Sequence, residues 1–132
     1  MMNKANVSVI LDASALLALI NQEKGAEVVK AYFPNVIMSA VNVSEVATIL
    51  HKTGIPASDV TLILKDLLQT IIPFEKSQIY QAAFLRENTK HLGLSFADRA
   101  CLALGLINKQ TIVTADKVWA KLPLDVTIKL IR

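Results

Sequence analysis

The sequence predicts an α/β fold in which a five-stranded, mainly parallel sheet is covered by helices on both faces. Three observations carry this prediction. Short β-branched runs alternate with helical stretches, the first run passes directly into a helix at Asp12, and no internal repeat interrupts the alternation. A chain of 132 residues suits a single domain, expected to span 1–132 around one core.

Val7 to Leu11 is the first strand, and Ala13 to Ile20 the helix it feeds. A short helix is expected from Gly25 to Phe33, closed by Pro34, before Val36-Ile37-Met38 supplies the second strand. Ser39 or Ala40 opens a helix with Val43, Val46, Ala47 and Leu50 at helical spacing, stopped by Gly54. Pro56 and Ser58 start its partner, apolar at Val60, Ile63, Leu64, Leu67 and Leu68, so the two form a hairpin. Ile71-Ile72-Pro73 is a brief third strand whose proline limits pairing. Glu75 to Thr89 is the next helix, followed by a turn around Gly93. Ser95 to Asn108 is a nearly all-apolar helix, Thr111 to Thr114 the fourth strand, Lys117 to Lys121 a helical turn and Val126 to Leu130 the fifth strand.

Composition narrows the class. With 53% hydrophobic and 19% charged residues and few aromatics, the core is built from Ala, Val, Ile and Leu, and no disordered tract is present. The lone Cys101 leaves no disulfide framework and no thiolate metal site, which points to a reducing, cytoplasmic setting. Met-Met-Asn-Lys carries little positive charge and the apolar stretch behind it breaks at Asp12, so neither a signal peptide nor a membrane span is expected. The net charge is +3, from 14 Lys and Arg against 11 Asp and Glu. If four acids withdraw into a metal cluster, fourteen bases face only seven of the eleven acids, a balance that suits a polyanionic partner. No basic block is visible, and the same lysines also read as a solvating coat.

The chemistry lies in four scattered acids, Asp12, Glu45, Asp98 and Asp116. Asp12 and Asp116 follow the first and fourth strands at their carboxyl ends. If those strands are neighbours where the strand order reverses, both acids face one crevice. Glu45 lies in the first two turns of the helix after the second strand. The helix from Ser95 precedes its strand and must run against it, so its first turn, with Asp98, starts at the same edge. Four carboxylates held together raise one another's pKa unless a cation compensates. All-oxygen ligation selects Mg²⁺ or Mn²⁺ over zinc. Such a site can hold two ions about 4 Å apart for an in-line phosphodiester displacement. Thr114, two residues before Asp116, adds a hydroxyl within reach.

Each acid also has a structural reading. Asp12 N-caps the helix from Ala13, Asp116 caps the turn at Lys117, and Ser95-Phe-Ala-Asp98 resembles a capping box with Asp in place of Glu. Glu45, among the apolar neighbours of Val41-Asn-Val-Ser-Glu-Val-Ala, is the hardest to explain so.

Four segments together resemble the PIN-domain nucleases, the family that includes the VapC-type toxins. They are Ile10-Leu-Asp-Ala-Ser-Ala, Asn42-Val-Ser-Glu-Val, Leu94-Ser-Phe-Ala-Asp-Arg-Ala-Cys-Leu-Ala-Leu-Gly and Thr114-Ala-Asp-Lys-Val-Trp, spanning nearly the whole chain. The resemblance implies a three-layer α/β/α fold and a Mg²⁺- or Mn²⁺-dependent endoribonuclease cutting single-stranded or looped RNA. It implies that Asp12 and Asp98 bind the first metal, that Glu45 assists or positions water, and that Asp116 completes a second, weaker site. Ser14 and Thr114 fall where polar residues accompany the cluster. Arg99 departs from the small residue common there; it reads as an RNA contact, a partner contact or a rim cation. The family further implies a homodimer silenced by an antitoxin peptide laid across its groove. The Val41 to Leu68 hairpin is a candidate contact surface, though an apolar stripe of this kind is more often core.

Two other readings compete. A receiver-like signalling domain would need paired acids after the first strand and an Asp ending the third, whereas here Asp12 stands alone and Pro73-Phe74 ends the third. A non-catalytic partner-binding module of the same fold would be favoured by loss of an acid, and all four are present. His51 and His91 have no partner at ligand spacing, Cys101 is a buried small hydrophobe, and Trp119 packs a helix.

Overall fold

A computed structural model of the chain describes residues 7–132, so the expectation about the opening Met-Met-Asn-Lys lies outside it. The strands are β1 (Val9–Leu11), β2 (Val36–Ser39), β3 (Ile71–Ile72), β4 (Ile112–Thr114) and β5 (Ile128–Leu130). The helices are α1 (Ala13–Ile20), α2 (Ala26–Lys30), α3 (Ala40–Lys52), α4 (Ala57–Leu67), α5 (Lys76–Thr89) and α6 (Phe96–Asn108), with 3-10 turns at Lys90–Leu92 and Lys117–Lys121. The sheet has the order β3-β2-β1-β4-β5, and every pair is parallel.

Alternation along the strands divides the core into two layers. Val9, Leu11, Val36, Met38 and Val113 face α1, α2, α3 and α4, while Ile10, Ile37 and Ile112 face α5, α6 and Trp119. The three-layer α/β/α architecture expected from the sequence is the one found. Val60, Leu64 and Leu68 of the hairpin belong to the first layer, so its apolar stripe is core. Gly105 brings α6 down onto β4: a Cβ there would stand 2.6 Å from Ile112 Cδ1. That close approach fixes the helix whose first turn carries Asp98.

The elements differ from expectation mainly at their ends. α2 stops at Lys30 rather than Phe33, since the residue before a proline is steered away from helix. Val7 lies outside β1 and is exposed, and β5 begins two residues later than Val126. β3 is a two-residue edge strand, as Pro73 dictates. No helix among the described residues is long and apolar enough to cross a membrane.

The strand order reverses between β1 and β4, whose registers pair Ile10 with Ile112 and Leu11 with Val113. This is the crevice position in an open α/β sheet. Receiver-type sheets have the order 2-1-3-4-5, so the order found here removes the signalling reading.

Candidate active site

Asp12 stands where β1 becomes α1, at the crevice. As the α1 N-cap it accepts a hydrogen bond from the Ala15 amide at 2.8 Å through Oδ1. The Ser14 hydroxyl donates to both of its oxygens, at 2.7 and 2.9 Å, and the Thr114 hydroxyl donates to Oδ2 at 2.5 Å. Those hydroxyls are in turn held by the loop after β4. The Ala115 amide donates to Ser14 Oγ at 2.9 Å and the Asp116 amide to Thr114 Oγ1 at 3.0 Å. Two relays therefore run from the backbone beyond β4 to a carboxylate only 4% exposed. Burial nevertheless pushes the Asp12 carboxyl up from 3.8 to about 6, and the negative charge of Asp98 adds to the rise; the Thr114, Ala15 and Ser14 bonds oppose it.

Asp98 occupies the third position of α6 in the capping box read from the sequence. Its Oδ2 accepts from the Ser95 amide at 2.9 Å while Ser95 Oγ accepts from the Asp98 amide at 3.1 Å. Burial raises its pKa, the Ser95 bonds lower it, and the charge of Asp116 raises it again. Glu45, half-buried on α3, is raised by burial and then by the charge of Asp98; a hydrogen bond from the Asn42 amide works the other way. Asp116 caps the turn that follows it, accepting from the Val118 amide at 3.0 Å.

The four predicted acids thus meet electrostatically, with Asp98 as the shared neighbour of the other three. Beneath them, the fully buried thiol of Cys101 is raised well above 9.0, by burial first and then by Asp12, Asp98 and Glu45. No cation of the protein balances them: among the described residues the one ion pair joins Arg132 to Glu23, elsewhere on the surface. Oxygen donors and uncompensated negative charge fit a hard divalent ion. The present rotamers do not gather around one point. Among the described residues no group of three His, Cys, Asp or Glu side chains is disposed to hold a metal, because Asp12, Asp98 and Asp116 are each turned onto a backbone amide.

Ser14 and Thr114 both join Asp12. Arg99 does not turn toward the acids: its Nη1 donates to the Ala82 carbonyl of α5 at 2.9 Å and lies 3.4 Å from that of Ala83, and its guanidinium sits 5.8 Å from the centroid of the Phe96 ring. It braces α6 against α5. Trp119 is core, and the His51 ring is hydrogen-bonded at Nδ1 to the Ile55 carbonyl at 2.9 Å. One site residue escaped the sequence reading. Asn42 is 1% exposed and reaches across to the first turn of α6. Its signal was an amide among valines one turn before an acid.

The profile of the PIN domain family matches residues 9–124. The chain belongs to the PIN domain family. No curated protein matches this PIN-domain chain at the level of sequence. Among solved structures, a chain of a toxin-antitoxin complex from Klebsiella pneumoniae is similar with a TM-score of 0.74 at 20% identity, over 95% of this chain and 98% of that one. DNA-bound VapBC from Salmonella typhimurium gives 0.74 at 12% identity, over 96% and 99%. VapC20 from Mycobacterium tuberculosis, described as a sarcin-ricin loop cleaving toxin, gives 0.71 at 20% identity, over 91% and 99%. At these identities the likeness is one of fold.

Proposed function

We propose that this PIN-domain protein is a Mg²⁺- or Mn²⁺-dependent endoribonuclease acting as the toxin of a toxin–antitoxin pair. The observation that carries the reading is the meeting of four acids around Asp98 with no protein cation among them. The fold shared with a toxin described as cleaving the sarcin-ricin loop supports RNA as the substrate.

In this reading Asp12 and Asp98 hold the first ion, Glu45 assists or positions water, and Asp116 completes a second site. An ion held there would lower the pKa of a water and offset charge on the scissile phosphate. The protein's own work is to seat the helix ends and strand ends that carry the acids at one edge of the sheet. Ser14 and Thr114 orient Asp12 from two sides, and the Ser95 capping box sets the first turn of α6. The antitoxin is a protein partner lying along the α3–α4 hairpin, where a cleft of about 350 Å³ is lined by Ala47, His51, Lys52 and Val60. A homodimer completes the assembly; the stacked Tyr80 and Phe84, 64% and 70% exposed on α5, give it an apolar surface.

Purified protein freed of any partner is expected to cut RNA with Mg²⁺ or Mn²⁺ and not in EDTA. Asp98→Asn should lower the rate by on the order of 10²–10³-fold. Equal cleavage in EDTA sinks the metal reading, and a protein that binds RNA without cutting it is the non-catalytic module instead. Expression should arrest growth unless a cognate antitoxin is present; harmless expression of an active nuclease would remove the toxin role alone.

A further inference from the structure

Asn42 is the third residue of α3, one turn before Glu45 and on the same helix face. Its Nδ2 donates to the Ala97 carbonyl at 3.0 Å, across 55 residues of chain, and Ala97 immediately precedes Asp98; the same amide also bonds Glu45 on its own helix. That bond fixes the amide's orientation, because only the nitrogen can donate to a carbonyl. The other half of the amide is left over. Asn42 Oδ1 is buried with no hydrogen-bond partner among the described residues.

An unpaired buried acceptor makes Asn42 a poor choice for stability. Nor does Ala97 depend on it, since a carbonyl in the first turn of α6 already has the helix's own amide four residues on. A bond that neither partner requires, kept beside an unpaired buried acceptor, points to a role outside stability. We propose that Asn42 is a positioning residue: it brackets α3 onto the first turn of α6 and so sets the separation of Glu45 and Asp98. The consequence for catalysis rests on the nuclease reading above, while the bracket itself is a property of the fold.

The test uses the full chain as wild type, Asn42→Leu, which keeps nearly the same shape, and Asn42→Ser, which adds no bulk should the leucine fail to fold. Melting temperature, amide hydrogen exchange at Arg99 to Cys101, and steady-state RNA cleavage are measured on each. Melting should be unchanged or higher in Asn42→Leu, while exchange in that first turn of α6 speeds up by about tenfold or more. Cleavage should fall by about 10- to 100-fold, the usual effect of losing an outer-shell support, in kcat and with KM unchanged because Asn42 does not touch substrate. Unaltered exchange in folded variants overturns the bracket. Faster exchange with full kcat overturns the positioning role. If the wild type itself cuts no RNA, the nuclease reading falls and the exchange measurement alone decides the bracket.

Discussion

Asp12 and Asp98 both sit at the N-terminal end of a helix, yet one is seated by the whole fold and the other by its own helix. Asp12 depends on Thr114, 102 residues away, and on the loop amides that hold Thr114 and Ser14. Asp98 depends on Ser95, three residues away. The first seat is buried and rigidly over-determined; the second is partly open and local. The contrast teaches that one charge cluster can combine a deep acid, present only when the sheet is assembled, with rim acids that need only their caps.

The largest expected effect of this contrast is on stability. Holding Asp12 at about 6 in the fold against 3.8 outside it costs on the order of 3 kcal/mol when the carboxyl is ionised at pH 7. The native state binds the proton more tightly than the unfolded chain, so metal-free protein should gain stability as pH falls through about 6 and level off near about 4. Asp12→Asn should therefore stabilise by up to about 3 kcal/mol at pH 7, less at pH 5, while removing cleavage. Asp116→Asn, which keeps a good cap at the rim, should stay within about 0.5 kcal/mol. Urea unfolding across this pH range checks both; a wild-type profile flat between pH 4 and 7 would show that the deep seat carries no such strain.

A smaller effect separates the hydroxyl relay from burial itself. Thr114→Val keeps the shape but removes the donor to Asp12 and the acceptor of the Asp116 amide. A loss of about 1–3 kcal/mol is expected at pH 7. Because the Thr114 bond lowers the Asp12 pKa, the variant's carboxyl should titrate higher than about 6, and the loss should shrink at acid pH where that carboxyl is neutral. A loss that is the same at pH 5 and pH 7 would mean that Thr114 serves packing rather than charge.

This division also explains what was legible in the sequence. Elements and their order were readable because β1, β2 and β3 are apolar runs rich in β-branched residues that end at a cap or a proline, and parallel αβ alternation brings the strands' carboxyl ends to one edge. The Ser95–Asp98 box was readable because it is local. The Ser14–Asp12–Thr114 network was only partly so: the residues stood out, but the 102-residue closure depends on β1 and β4 being neighbours. The bonds of Asn42 and Arg99 are illegible in the sequence for one reason. A polar side chain's direction on a helix depends on what packs beside it, and neither the Ala97 carbonyl nor the α5 carbonyls are visible in a one-dimensional pattern.

Arg99 offers the smallest and most local break in the comparison, since it neighbours Asp98 in sequence but belongs to the α5–α6 seam. Its Nη1 bond to Ala82 and its contact with the Phe96 ring are structural, and its Nε is buried without a partner among the described residues. Arg99→Met keeps the apolar stem and removes the guanidinium. A stability loss of about 1 kcal/mol is expected from the bond and the ring contact, offset in part by relief of the unpaired Nε. Cleavage should stay within about twofold, an energy difference of about 0.4 kcal/mol. A tenfold loss of kcat/KM at unchanged melting temperature would instead place the guanidinium on the substrate, and the rim of the acid cluster would then extend one residue further along α6.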